Sequence, residues 1–152
     1  MNMGRKFSLA LFLAMSIFVA APRAEAEIRV TITNNRSHSM SFAFCWAGFD
    51  TPDDRRSGWY IVNAGATRTI TLKDAVYAMT AQGFGYYAKG GGSVWSGRAN
   101  EGRRLVIIHP TNAFSGHPDN PIAGGERVYF RYIKLTAAAN RENGSATLTF
   151  NP

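Results

Sequence analysis

The chain of 152 residues contains a single cysteine, Cys45. One thiol cannot form an intramolecular disulfide, so the hydrophobic core has to stabilise the fold without a disulfide framework. A domain of this length buries about two thirds of its unfolded surface, which is enough for that purpose. The residues around Cys45 are apolar, and we expect its side chain to be a small buried group rather than a reactive thiol.

Motifs that carry chemistry are also scarce. The chain has three histidines, at positions 38, 109 and 117, and neither a Gly-x-Ser-x-Gly sequence nor a phosphate loop accompanies them. Three carboxylates, Asp50, Asp53 and Asp54, lack the glycine and terminal glutamate of a calcium loop, and two arginines follow them directly. We therefore predict no catalytic residue, no metal site and no cofactor.

Only one long apolar run is present, over residues 7–21, and two serines are its only polar members. It follows a short basic segment and precedes Ala24-Glu25-Ala26, whose first and third residues fit a signal peptidase site. The run is too short to cross a bilayer, which takes about twenty apolar residues. We predict a signal peptide over 1–26 and a single mature domain over 27–152, exported to the periplasm or the exterior, without a transmembrane segment.

Basic residues outnumber acidic ones by 17 to 10. Without residues 1–26 the balance is 14 to 9, a formal charge of +5, and arginine supplies eleven of the fourteen. The planar guanidinium suits carboxylates and phosphates, so an anionic envelope polymer is a conceivable partner, as is a protein. The alternative is that these arginines are solvated surface residues. They are scattered rather than aligned, which excludes a nucleic-acid stripe.

Short runs of β-branched and aromatic residues, separated by turn residues, predict an all-β protein. The runs are 27–34, 40–46, 58–62, 67–72, 76–88, 94–96, 104–109, 127–136 and 145–150. We predict a single-domain β-sandwich of about eight mainly antiparallel strands, with a small β-barrel as the alternative. The segments 58–62 and 67–72 are expected to form a hairpin, and Asn143-Gly144 a hairpin turn.

Residues 57–70, which read SGWYIVNAGATRTI, resemble a bacterial exported family catalogued as "domain of unknown function 1036". Looser similarity extends to 32–35, to Tyr86-Tyr87 and to 94–97, so that the resemblance covers about residues 28–135. It implies a small exported β domain. Because the family has no assigned activity, the resemblance assigns no residue a role.

The segment 111–126 is rich in proline and glycine and is predicted to be a long ordered loop, where functional residues are often found. Its candidate binding residues are His117 and Asp119, with Arg127 beside it and Trp59 and Trp95 as aromatic candidates. Our main hypothesis is a non-catalytic envelope binding or interaction module. The alternatives are an envelope-polymer hydrolase using His117, a glycan-binding module using exposed aromatic side chains, and a structural protein that pairs an edge strand.

Overall fold

The computed structural model describes residues 27–46, 55–73, 84–98, 105–133, 135–137 and 143–152. Regular structure in these residues is entirely β-strand. In chain order the strands are β1 (Ile28–Asn34), β2 (Met40–Trp46), β3 (Arg55–Val62), β4 (Thr67–Leu72), β5 (Gly85–Gly90), β6 (Ser93–Trp95), β7 (Leu105–Ile108), β8 (Phe114–Gly116), β9 (Glu126–Tyr129), β10 (Arg131–Tyr132), β11 (Thr136–Ala137) and β12 (Gly144–Phe150). Eight of them have four or more residues, in agreement with the predicted number.

The first sheet has the strand order β11-β12-β1-β4. Strand β1 runs parallel to β12 and antiparallel to β4. As its alternating sequence predicts, Ile28, Val30 and Ile32 are fully buried. The outward side of this sheet carries hydroxyl groups, and the Thr31 and Thr69 oxygens lie 3.1 Å apart across neighbouring strands.

The central sheet has the order β10-β5-β2-β3-β8, with β6 also paired to β5. Strand β2 lies in its middle and is buried on both faces. Phe42 and Phe44 pack against the first sheet, whereas Ala43 and Cys45 contribute to a second apolar cluster on the opposite face. The predicted burial of Cys45 is confirmed.

A small sheet of β7 and β9 covers that second face. Val106 and Ile108 of β7 are fully buried there, together with Tyr87 and Phe130. The strands are mostly antiparallel, and none of the described sheets closes on itself. The predicted all-β sandwich is therefore confirmed, with β7 and β9 as an additional layer.

The predicted hairpin of 58–62 with 67–72 is wrong. Strand β3 pairs with β2 and β8, whereas β4 pairs with β1, so the turn between them connects two different sheets. The reason is the buried side of β4, since Ile70 and Leu72 pack into the core between the first and central sheets. The strand predicted over 58–62 also begins earlier, because Arg55, Arg56 and Ser57 belong to β3.

Two further predictions near the end of the chain are wrong. The segment 127–136 is not one strand but contributes β9, β10 and β11 to three sheets, because Phe130 turns into the second cluster and packs against Tyr87. Asn143-Gly144 is not itself the turn, although the consecutive strands β11 and β12 do pair antiparallel as a hairpin. Gly144 opens β12 opposite Ile28, and the Asn143 side chain accepts a hydrogen bond from the Glu27 amide at 3.0 Å.

The predicted signal peptide over 1–26, the carboxylates at 50, 53 and 54, and residues 76–83 of the predicted aromatic strand lie outside the described residues. Within the described ranges, no helix is long and apolar enough to span a bilayer.

Candidate functional site

The candidate site is built on β3, at an irregularity in its pairing with β2. The register shifts between Phe42 and Ala43, which are paired with Tyr60 and Gly58, so that Trp59 is an extra residue. Such a bulge redirects the extra side chain. The Trp59 ring packs into the second cluster, with its centroid 5.7 Å from that of Phe114 at an interplanar angle of 90°.

Glycine is required beside this bulge. A Cβ atom at position 58 would lie 2.9 Å from both Ala43 Cβ and the Phe114 ring, which is closer than real contacts allow. The absence of a side chain lets β8 approach β3, and the two strands pair from Arg56 to Gly58. Beyond Gly58 they separate.

Arg56 is the central residue of this region. It is 2% exposed, and its guanidinium donates hydrogen bonds to three backbone carbonyls. Nη1 donates to Ile107 at 2.5 Å and to Pro118 at 2.7 Å, and Nη2 donates to Asn120 at 2.6 Å. Nε has no hydrogen-bond partner among the described residues. Burial lowers the pKa of Arg56, and the nearby groups of Cys45 and Asp119 oppose that shift.

Two more side chains hold the same part of the backbone. The Trp59 indole donates to the His109 carbonyl at 2.9 Å, and the Lys89 ammonium donates to the Pro110 carbonyl. The ammonium also lies over the Trp59 ring, 4.5 Å from its centroid. Together with Arg56, these donors attach residues 107–120, here called the anchored segment, at five carbonyl groups.

His109 organises the beginning of the anchored segment. Its Nδ1 accepts hydrogen bonds from the backbone amides of Thr111 at 3.1 Å and Asn112 at 2.8 Å. Because Nδ1 accepts, the proton of the neutral ring is on Nε2.

A cleft of about 340 Å³ lies where β8 separates from β3. It is lined by residues 57–60 and 113–115. The Ser57 and Tyr60 hydroxyls are hydrogen-bonded at 2.8 Å within it. The lining therefore combines hydroxyl groups with the aromatic rings of Trp59, Tyr60 and Phe114.

The predicted pair His117 and Asp119 is brought together. His117 Nδ1 accepts a hydrogen bond from the Asp119 amide at 3.3 Å, and the Asp119 carboxylate lies 4.0 Å from the same nitrogen. The latter distance exceeds a hydrogen bond. The Asp119 side chain is 64% exposed and that of His117 is 29% exposed, so both reach the surface of the anchored segment.

Arg127 is separated from that pair by strand β7. The Ile107 amide donates to the Pro118 carbonyl, and the Ile107 carbonyl accepts from Arg56, so both groups point away from β9. Arg127 is paired with Ile107 on the opposite side and is exposed. His117 and Arg127 therefore flank β7 without sharing a contact among the hydrogen bonds and ion pairs of the described residues.

The two predicted tryptophans lie on opposite faces of the central sheet. Trp59 belongs to the second cluster, whereas Trp95 packs against the first, with its ring 5.4 Å from that of Phe150. Each ring has a cation near its face, Lys89 at Trp59 and Arg36 at Trp95. They do not form one common platform for stacking a ligand.

Arg56 and Lys89 were not predicted from the sequence as residues of this site. Arg56 follows another arginine and a group of carboxylates, a pattern typical of a solvated turn. The sequence held one signal for Arg56. It lies two residues before Gly58, so in an extended strand both residues face the same side. Lys89 had no signal, because its contact with Trp59 depends on the pairing of β5 with β2.

Comparisons with protein-family models, with curated proteins and with solved structures found no match to this chain. The resemblance of residues 57–70 to an exported family therefore stays a prediction. Within the described part of the chain, no group of three His, Cys, Asp or Glu residues could hold a metal ion.

Proposed function

We propose that this chain is an exported, non-catalytic binding module that contacts an anionic polymer of the cell envelope through the anchored segment and its adjacent cleft. The observation that carries the proposal is the buried guanidinium of Arg56 with its three carbonyl partners. Burying a charged group costs free energy. The buried guanidinium of Arg56 holds a surface segment in place instead of contributing to the apolar core. A segment held in one conformation loses little entropy when it binds a partner.

The surface that the anchored segment presents is polar. Asn112, Ser115, Asp119 and Asn120 are exposed along it. The cleft beside them has the size of a small-ligand site and combines hydroxyl groups with aromatic rings, which suits one unit of a hydroxylated polymer. The formal charge of +5 that remains without residues 1–26 supports a polymer that also carries anionic groups.

The location is tested by cell fractionation. We expect the protein in the envelope or culture fraction, with a mass corresponding to a chain that begins at Glu27. A cytoplasmic protein that retains residues 1–26 would contradict export.

Binding is tested by sedimentation with purified peptidoglycan sacculi, which carry carboxylates and sugar hydroxyls. Ser115→Trp places an indole at the cleft lining, and we expect it to reduce retention about tenfold. The double variant His117→Ala, Arg127→Ala removes exposed groups beside the anchored segment and should reduce retention as well. The matched control is Arg29→Ala, which removes one exposed arginine from the first sheet, on the opposite outer layer.

Retention of Ser115→Trp at the level of the wild type would contradict binding at the cleft. Wild-type protein that stays in the supernatant at low ionic strength would contradict the proposed polymer class. Circular dichroism of each variant separates loss of binding from loss of fold.

A further inference from the structure

A second cavity lies at the opposite side of the central sheet, next to the turn that joins β1 to β2. Its volume is about 320 Å³, and it is lined by residues 35–38 and Pro152. It shares no lining residue with the cleft described above. Among its side chains, Arg36 is charged and His38 can become so.

The turn is held rigidly by Asn34, which is fully buried. The Asn34 side-chain amide donates to the carbonyls of His38 at 2.9 Å, Val62 at 3.1 Å and Asn63 at 3.1 Å. Its carbonyl oxygen accepts from the Arg36 amide at 3.1 Å. The backbone that carries the cavity side chains is therefore fixed by the core.

The Arg36 guanidinium is also fixed in position. Its carbon lies 5.1 Å from the centroid of the Trp95 ring, in a cation–π contact. Nη1 donates to the Asn151 carbonyl at 2.9 Å, and Nε donates to His38 Nε2 at 3.3 Å. No hydrogen bond or ion pair of the described residues involves Nη2, so its N–H groups remain for a ligand.

The same hydrogen bonds determine the tautomer of His38. Because Nε2 accepts from Arg36, the proton of the neutral imidazole is on Nδ1, which is then a donor. The imidazole is packed against Gly91, where a Cβ atom would lie 2.2 Å from the ring. Three consecutive residues of the cavity lining thus carry a donor group, namely Arg36 Nη2, the exposed Ser37 hydroxyl and His38 Nδ1.

We infer that this cavity binds a phosphate group through Arg36, Ser37 and His38. A phosphate offers three or four oxygens to a guanidinium and its neighbours and carries up to two negative charges, whereas a carboxylate offers two oxygens and one charge. The cavity is larger than the ion alone, so a phosphate ester fits as well as free phosphate. The site requires neither the anchored segment nor the cleft.

The test is a titration of the 15N-labelled protein with inorganic phosphate, glucose 6-phosphate and acetate, followed by NMR. We expect saturable shifts of the amides of 35–38 and of the Trp95 indole, with a dissociation constant of about 1 mM or lower for at least one phosphate ligand. Tighter binding of glucose 6-phosphate would support an ester as the ligand, and equal binding would support the free ion. Acetate should bind at least about tenfold more weakly.

Two variants test the assignment of the donors. Arg36→Lys keeps the charge but loses the planar guanidinium, and we expect about tenfold weaker phosphate binding. Ser37→Ala changes an exposed side chain and should weaken binding about fivefold without affecting the fold. Arg29→Lys, the same substitution at an exposed arginine of β1, should bind phosphate as the wild type does.

The inference is overturned if no saturable shift occurs in the wild type, if acetate binds as tightly as phosphate, or if Arg36→Lys and Ser37→Ala both keep wild-type affinity. Binding to peptidoglycan is measured in a separate experiment. A negative result for the phosphate site therefore does not contradict the proposed polymer contact, and the reverse also holds.

Discussion

At the scale of single residues, the guanidinium of Arg56 takes the place that a neighbouring strand would take in a regular sheet. The carbonyls of Ile107, Pro118 and Asn120 belong to a segment that is only partly strand, and three N–H···O bonds satisfy them. Unpaired buried carbonyls are costly, so the side chain and the backbone depend on each other.

Replacing Arg56 therefore destabilises the protein. Arg56→Met retains much of the volume but removes the donor of the Ile107 and Asn120 carbonyls and one of the two donors of the Pro118 carbonyl, and we expect a loss of about 3 kcal/mol in the free energy of unfolding. Urea denaturation followed by tryptophan fluorescence measures it. The control Arg127→Met, at an exposed position of β9, should change stability by less than about 0.5 kcal/mol. Equal stability of the two variants would contradict the role of Arg56.

Tyr87 makes stability dependent on alkaline pH. Burial raises the pKa of its phenol, and the charge of Glu126 adds to the shift. The folded state therefore holds the phenolic proton more tightly than the unfolded state, whose tyrosine ionises near pH 10. Its stabilising contribution is complete below about pH 10 and is lost as the pH rises above that value.

This is measured as the free energy of unfolding at a series of alkaline pH values. Tyr87→Phe cannot ionise at this position, so its stability should fall less steeply above about pH 10 than that of the wild type. Parallel curves for the two proteins would show that Tyr87 does not contribute to the alkaline loss.

At the scale of strands, the sequence predicts which side chains face inward but not which strands pair. The alternation in β1, β2 and β4 identifies Ile28, Phe42 and Ile70 as buried, because alternation is a local property of an extended chain. The partners of β3 and β4 depend on contacts with segments far along the chain. A short turn with Gly65 fits a hairpin and a crossing between sheets equally well.

In the candidate site, too, local features could be predicted from the sequence and long-range contacts could not. His117 and Asp119 are two residues apart, and their proximity could be predicted from the sequence. The donors that fix their backbone come from β3 and β5, and no local pattern relates them to residues 107–120. The parallel pairing of β12 with β1 was unpredictable for the same reason, since residues 144 and 28 are joined only by the fold.

Strand β12 is held in place by Phe150. Its ring contacts Phe42, Tyr86 and Trp95 at centroid distances of 5.2, 6.1 and 5.4 Å. We expect Phe150→Ala to lower the free energy of unfolding by about 3 to 5 kcal/mol, because it removes a buried ring and leaves a cavity. Thermal denaturation compares it with Thr149→Ala, whose side chain is exposed on the same strand. A similar effect of both variants would show that backbone pairing, rather than the Phe150 ring, stabilises β12.

At the scale of the whole molecule, two apolar clusters on the two faces of the central sheet leave the outer surfaces polar. The outward face of the first sheet carries Thr31, Thr33, Thr67 and Thr69, which pair through their hydroxyls at 3.1 Å and bear no charge. By contrast, the anchored segment lies next to the small sheet of β7 and β9. The anchored segment and the cleft thus lie away from the first sheet, and we propose that the polymer contact is on that side.

Binding to an anionic polymer should then depend on ionic strength. The net positive charge of the chain favours association, and salt screens it over a Debye length of about 10 Å at 0.1 M. We expect retention on peptidoglycan to fall steadily as sodium chloride rises from about 0.05 to 0.5 M. Retention that does not change with salt would contradict an electrostatic contribution and would favour contacts made by the neutral cleft.

The position of β1 between β4 and β12 determines when the molecule can complete its fold. The first sheet lacks one of its two inner strands until residues 144–150 have left the ribosome, because β12 is both the parallel partner of β1 and the strand that bears Phe150. Until then the nascent polypeptide remains incompletely folded. In the exported module that we propose, this strand order would delay folding and so keep the chain extended for a secretion channel.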